Sequence, residues 1–308
     1  MGEAFPIHAI IAETCHLFDL DSAVAMEGDQ TKEYIASTVD SDHTETLGEE
    51  TLKLLERQES RRVTDFQASK LESEAARNWD LFYKRNSTNF FKDRHWTKRE
   101  FHELVGDVEN GKNRVLLEVG CGVGNFVFPL LEEDEEREQG LFIFCCDFSA
   151  RGVQFVKEHK LYDEKRIKAF QCDITTPHLV NELGENSVDI VSCVFVLSAI
   201  HPDKHGTVLK NISLVLKPGG CLLFRDYGVG DMAMIRFGPG SKISDRFYKR
   251  QDGTRSYFFT KDEVASLAEG AGLTLYQNSA VARRTVNKKE GVDVARVFLQ
   301  AKMYKPAD

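Results

Sequence analysis

Residues 114–124 read RVLLEVGCGVG, a short apolar run that ends in three alternating glycines. Such a run, followed by GNFVFPLLEE (124–133), predicts a buried strand turning sharply into a helix. The unit recurs. GLFIFCCD (140–147) precedes a helical SARGVQFVKEH (149–159), and IKAFQCD (167–173) and SVDIVSCVFVL (187–197) are further strands. HGTVLKNISLVL (205–216) is helical and GGCLLFRDY (219–227) a fifth strand; a helix at 261–272 and two strands near 273–285 and 294–303 follow. Strands alternating with helices imply parallel crossovers and therefore a doubly wound α/β sheet.

The chain of 308 residues is long enough for one large domain with an appendage. Residues 1–50 read as an acidic, flexible segment, 51–113 as a helical and aromatic-basic extension, and 114–308 as the α/β domain. No run of 18 apolar residues exists, so no membrane span or membrane partner is expected. MGEAFPIHAIIAETCH lacks a basic start and carries acidic residues, which disfavours a secretory or transit signal. Seven cysteines without C-x-x-C spacing suggest neither a disulfide framework nor a metal site. A cytoplasmic location fits, with a nuclear share left open. The net charge of −9 is uneven: residues 1–60 hold 14 acidic and 3 basic side chains, and the remaining 248 hold 35 and 37. The overall acidity therefore does not exclude a polyanionic partner.

Glycines at the strand-to-helix turn let a ligand approach the backbone, although dehydrogenases use a similar loop. Asp147 closes the second strand, 27 residues after Gly120, where a carboxylate can accept from ribose hydroxyls. Asp173 closes the third strand, where it can accept from an adenine amine while Ile174 covers the ring. An Asp at a strand end also suits a helix cap. Together with the turn LKPGG (216–220), the pattern E-x-G-x-G-x-G and these two acids resemble the class I S-adenosylmethionine-dependent methyltransferases over roughly 114–303. The resemblance implies a Rossmann-like, mostly parallel seven-stranded sheet with S-adenosyl-L-methionine as cofactor. It implies cofactor contacts from Glu118, Gly120, Gly122, Gly124, Asp147, Asp173, Ile174 and Val194.

WDLFYKRNSTNFFKDRHW (79–96) holds both tryptophans among Lys84, Arg85, Lys92 and Arg94. Trp79, Phe82 and Tyr83 fall on one helix face. With LFRDYG (223–228), RQDGTRSYFF (250–259) and TVNKKEG (285–291), this stretch resembles the tRNA N3-methylcytidine methyltransferases over about residues 60–303. The wording is most similar to the branch that acts on serine tRNAs with seryl-tRNA synthetase as partner. That resemblance implies methylation of the cytidine at position 32 in the anticodon loop, with Trp79 and Tyr83 against the cofactor. Aromatic faces attract a sulfonium cation, and an unpaired base can stack on them. Phe90, Phe91, Arg94, His95 and Trp96 are expected to reach the RNA, and Lys84, Arg85, Lys92, Arg94, Lys98 and Arg99 its phosphates. Arg250, Arg255, Lys288 and Lys289 are further RNA candidates. Core packing is an equal reading for Phe82 and Phe91.

The N3 atom of cytosine has a free lone pair, so orientation should outweigh proton removal. A carboxylate can then help as the ring becomes cationic. Asp226 is the candidate, Asp93 the runner-up, and pairing of Arg225 with Asp226 is an equal alternative for the first. Methyl transfer to a protein or small molecule, and a non-catalytic cofactor-binding subunit, are the competing functions.

Overall fold

The structure is a computed structural model and describes residues 37–38, 49–88, 93–105, 114–137, 140–287 and 292–307. Most of the acidic segment, together with Phe90, Phe91, Lys92, Lys288 and Lys289, lies outside the described residues.

Three helices come first: α1 (Glu49–Glu59), α2 (Asp65–Ser73) and α3 (Ala75–Asn86). The periodicity over 51–85 suggested a more continuous helix. The break is local chemistry: Thr64 caps α2 by accepting from the Gln67 N–H, and the Gln67 side chain returns the bond, a reciprocal cap. Helix α3 buries Phe82 and Tyr83 and stops at the NST sequence, where Ser87 adopts φ +52°. A single turn, α4 (Thr97–Glu100), leads towards the sheet.

Seven strands form that sheet. They are β1 (Arg114–Val119), β2 (Leu141–Asp147), β3 (Ile167–Gln171), β4 (Val188–Val194), β5 (Leu216–Tyr227), and the late pair β9 (Thr274–Asn287) and β10 (Val292–Tyr304). Their spatial order is β9-β10-β5-β4-β1-β2-β3, with Ser37–Thr38 added on the edge of β9. Strands β1 to β5 pair in parallel, and β10 is antiparallel to both β5 and β9. Helices α5 (Val127–Arg137), α6 (Ala150–Lys157), α7 (His178–Leu183), α8 (His205–Val215), α9 (Met232–Ile235) and α10 (Lys261–Gly270) make up the remainder.

Burial on both faces explains the unbroken apolar strands. Leu117, Val191 and Leu222 join a core layer with α8 and α10, while their neighbours Leu116, Ile190 and Leu223 join the opposite layer with α5 and α6. The strand cysteines Cys145, Cys146, Cys172, Cys193 and Cys221 are buried as small apolar groups.

A second sheet of three short antiparallel strands, β6 (Lys242–Ser244), β7 (Phe247–Lys249) and β8 (Arg255–Tyr257), was not anticipated. Strand order reverses between β1 and β4, which opens a crevice at the C-terminal ends of these strands. Among the described residues no helix is long and apolar enough to cross a membrane.

Candidate active site

A pocket of about 570 Å³, counted with its open mouth, fills this crevice, a size typical of ligand clefts. One half is walled by Glu118, Gly120 and Gly122 from the glycine loop and by Trp79 and Tyr83 from α3. The other half is walled by Phe195, Ser198, Tyr227, Arg250 and Arg255. Arg94 lies where the halves meet: its Nη1 donates to the Val194 carbonyl at 3.2 Å and its guanidinium sits 5.6 Å over the Phe195 ring.

The loop depends on its glycines. Gly122 has φ +55°, and a Cβ there would stand 2.9 Å from the Tyr83 Oη. A Cβ on Gly152, at the start of α6, would meet the other edge of the same ring at 3.2 Å. Helix α3 therefore docks by inserting Tyr83 into space that only two glycines leave free. Asp80, on the same helix, accepts from the Ser149 Oγ and from the Arg151 N–H at 3.2 Å, which ties α3 to the start of α6.

Asp147 braces this loop. Its Oδ2 accepts from the Gly122 N–H and its Oδ1 from the Ser149 N–H, both at 2.8 Å. Burial pushes its pKa up from 3.8 to about 6. The two oxygens together offer about four acceptor sites, so a ribose contact would add to these bonds. Glu118 is buried, and desolvation pushes its carboxyl well up despite the opposing charge of Arg94. Its Oε2 has no protein hydrogen-bond partner, an arrangement costly unless a ligand donates to it. Gly124, Asp147, Asp173, Ile174 and Val194 lie outside the lining. Gly124 packs against Phe128, Asp147 acts through the loop it braces, Asp173 accepts from the Thr175 N–H at 2.9 Å, and Ile174 and Val194 are buried.

Residues 117–222 match a family described as a methyltransferase domain. An S-adenosylmethionine-dependent methyltransferase from Anabaena variabilis superposes with a TM-score of 0.55 at 13% identity, over 75% of this chain and 94% of its own, a likeness in fold. The human tRNA N(3)-cytidine methyltransferase METTL6 is 57% identical over 245 residues, 79% of this chain and 85% of its own. The tRNA N(3)-methylcytidine methyltransferase trm141 of Schizosaccharomyces pombe is 44% identical over 242 residues, 78% of this chain and 96% of its own. This chain belongs to the tRNA N3-cytidine methyltransferase family.

In this member of the family the pocket fits S-adenosylmethionine on two counts: the orphaned Glu118 oxygen seeks a donor, and the glycine turn brings backbone close to any ligand. The second half of the pocket rests on Asp226. This side chain is fully buried; its Oδ2 accepts from the Ser198 N–H and its Oδ1 from the Tyr227 N–H, both at 2.9 Å, and burial raises its pKa to about 6. Arg225 does not pair with it. Neighbours on a strand face opposite ways, and Arg225 instead lies 4.4 Å from the Trp96 ring, bonds Gln300 and approaches Glu100. Asp93 is exposed and accepts from the Asn125 Nδ2 at 3.0 Å.

The basic candidates separate by position. Lys84, Arg85, His95 and Arg99 are exposed, and Lys98 pairs with Glu133 at 2.8 Å. Arg94 is drawn into the pocket instead of projecting from the surface. Trp96 is half-buried against the core. Arg250 and Arg255 line the pocket, and Arg255 also pairs with Glu72 of α2. Phe195, Ser198, Tyr227, Asn125 and Asp80 are the site residues that sequence reasoning passed over. Phe195 and Tyr227 had a signal, since each follows the apolar core of its strand at the sheet's C-terminal edge.

Proposed function

We propose that this chain methylates N3 of cytidine 32 in the anticodon loop of serine tRNAs, with S-adenosylmethionine as donor and seryl-tRNA synthetase as partner. The observation that carries this reading is the two-part pocket: a glycine-and-acid half suited to an adenosyl cofactor, joined through Arg94 to an aromatic-basic half. When bound, S-adenosylmethionine supplies a methyl group made electrophilic by its sulfonium charge.

The chain's own residues then orient and stabilise. Trp79 and Tyr83 offer aromatic faces to a cation, and Glu118 accepts from a donor on the cofactor. Asp147 holds the glycine loop in its bound shape. Asp226 fixes the backbone of Ser198 and Tyr227 beneath the acceptor half, so the target nitrogen meets a prearranged surface. Its buried charge also favours a ring that becomes cationic. Arg250 of the pocket lining and the exposed Lys84 and Arg85 of α3 are suited to phosphate, whereas Arg255 is buried and already paired with Glu72.

The test is nucleoside mass spectrometry on total tRNA incubated with the protein and S-adenosylmethionine, with and without seryl-tRNA synthetase. A rise in N3-methylcytidine confined to serine tRNAs supports the reading. Its dependence on the synthetase assigns the partner; no rise in either condition, with cofactor bound, refutes the substrate.

A further inference from the structure

We propose that Phe195 is the platform on which the target base stacks once it leaves the anticodon loop; this rests on the substrate reading above. Phe195 directly follows β4 and has φ +60°. A bulky side chain rarely adopts that conformation, and where it does so the surroundings must hold it. Here the Phe195 N–H donates to the Arg225 carbonyl at 2.8 Å. The next residue, Val196, packs so closely on the glycine loop that a Cβ on Gly120 would come within 2.5 Å of it. The turn takes the Phe195 ring out of the strand's alternation. It places the ring 5.1 Å from Tyr227 and 5.3 Å from Phe298, on the pocket wall where the cofactor half meets the acceptor half.

A methyl donor in the first half can reach only an acceptor held at that junction. The surface there is aromatic, and it is flanked by guanidinium groups: Arg94 lies 5.6 Å over Phe195 and Arg250 5.6 Å over Tyr227. Aromatic rings layered with arginine planes are how proteins hold unstacked RNA bases. Tyr227 is buried and its backbone is fixed by Asp226, whereas Phe195 is only half-buried and lines the pocket. The ring of Phe195 is therefore the one left to take the base.

Phe195→Gly tests this without a folding penalty at the turn, because glycine adopts φ +60° freely. With serine tRNA and the synthetase present, kcat/KM for tRNA should fall roughly 5- to 150-fold, the range expected for loss of one base–aromatic stack. Calorimetric affinity for S-adenosylmethionine should stay within about two-fold, and Phe195→Trp should restore most of the activity. A tRNA carrying the fluorescent analogue pyrrolocytidine at the target position should change its emission on binding the original protein and the Trp variant, but not the Gly variant. Unchanged kcat/KM or an unchanged emission response in Phe195→Gly overturns the placement, as does an equal loss of cofactor affinity. Absence of N3-methylcytidine with the unaltered protein instead overturns the substrate reading, and the platform with it.

Discussion

Replacing Asp226 by Asn removes one buried charge while nearly preserving shape. In the protein as it stands, two backbone N–H groups donate to its two oxygens at 2.9 Å, and burial raises its pKa from 3.8 to about 6. The raised value means that the folded state holds the proton more tightly than the unfolded chain does. The stabilisation is full below pH 4 and is lost as pH climbs through 6. A shift of about 2 units corresponds to about 3 kcal/mol, of which about 1.4 kcal/mol is lost between pH 5 and pH 8. Asn does not titrate, but its amide nitrogen faces one of the two N–H donors and leaves it unpaired, at about 1–3 kcal/mol. Asp226→Asn should therefore be clearly less stable at pH 5, and the gap should narrow by about 1.4 kcal/mol at pH 8. Asp147 has a similar shift but is common to both proteins and cancels. Urea unfolding at the two pH values, followed by tryptophan fluorescence, measures the gap. A gap that stays constant or widens with pH would refute a carboxyl destabilised by burial at this position.

Gly122→Ala forces a left-handed residue to carry a Cβ 2.9 Å from the Tyr83 Oη; about 1–2 kcal/mol of stability should be lost, with at least a roughly ten-fold drop in cofactor affinity from the displaced ring. Calorimetry with unchanged affinity would show that Tyr83 is not part of the cofactor wall. Phe82 is 3% exposed and packs edge-to-face on Trp79 and Tyr83 at 5.2 and 5.4 Å. Phe82→Ala should cost about 3–5 kcal/mol in denaturant unfolding, and a loss below about 1 kcal/mol would mean that α3 is not packed as described. Asp80→Ala removes the acceptor that joins α3 to Ser149 and Arg151; hydrogen exchange in 75–86 should accelerate by an amount equivalent to about 1 kcal/mol, with exchange in β5 unaffected.

The parallel sheet was legible because a strand buried on both faces needs an unbroken apolar run, and five such runs stand between 114 and 227. The glycine loop and Asp147 were legible as chemistry at a strand end, yet the bond by which Asp147 braces the loop was not, since it joins Asp147 to Gly122, 25 residues away. The small sheet β6–β8 escaped because strands of three residues such as KIS and RSY carry no periodicity to read. The place of Arg94 inside the pocket was not legible for a general reason: an arginine in a basic run is usually at the surface, and only the fold reveals the Val194 carbonyl and the Glu118 carboxyl beside it. The pairing of Arg225 with Asp226 failed on a simpler rule that the sequence did contain, namely that adjacent strand residues face apart.

The phenol of Tyr83 occupies the room that side chains at 122 and 152 would have taken, so the wall of the donor half is contributed by a helix from outside the α/β sheet. Whatever free energy a ligand gains from that wall, the docking of α3 gains in return, because coupling between two binding equilibria is reciprocal. Loading the pocket tightens the hold on residues 75–86, and pulling that helix away weakens the hold on the ligand. Because Lys84 and Arg85 sit on the exposed last turn of the same helix, a polyanion that gripped them would act on the same lever as a ligand that fills the pocket, and each would report the presence of the other.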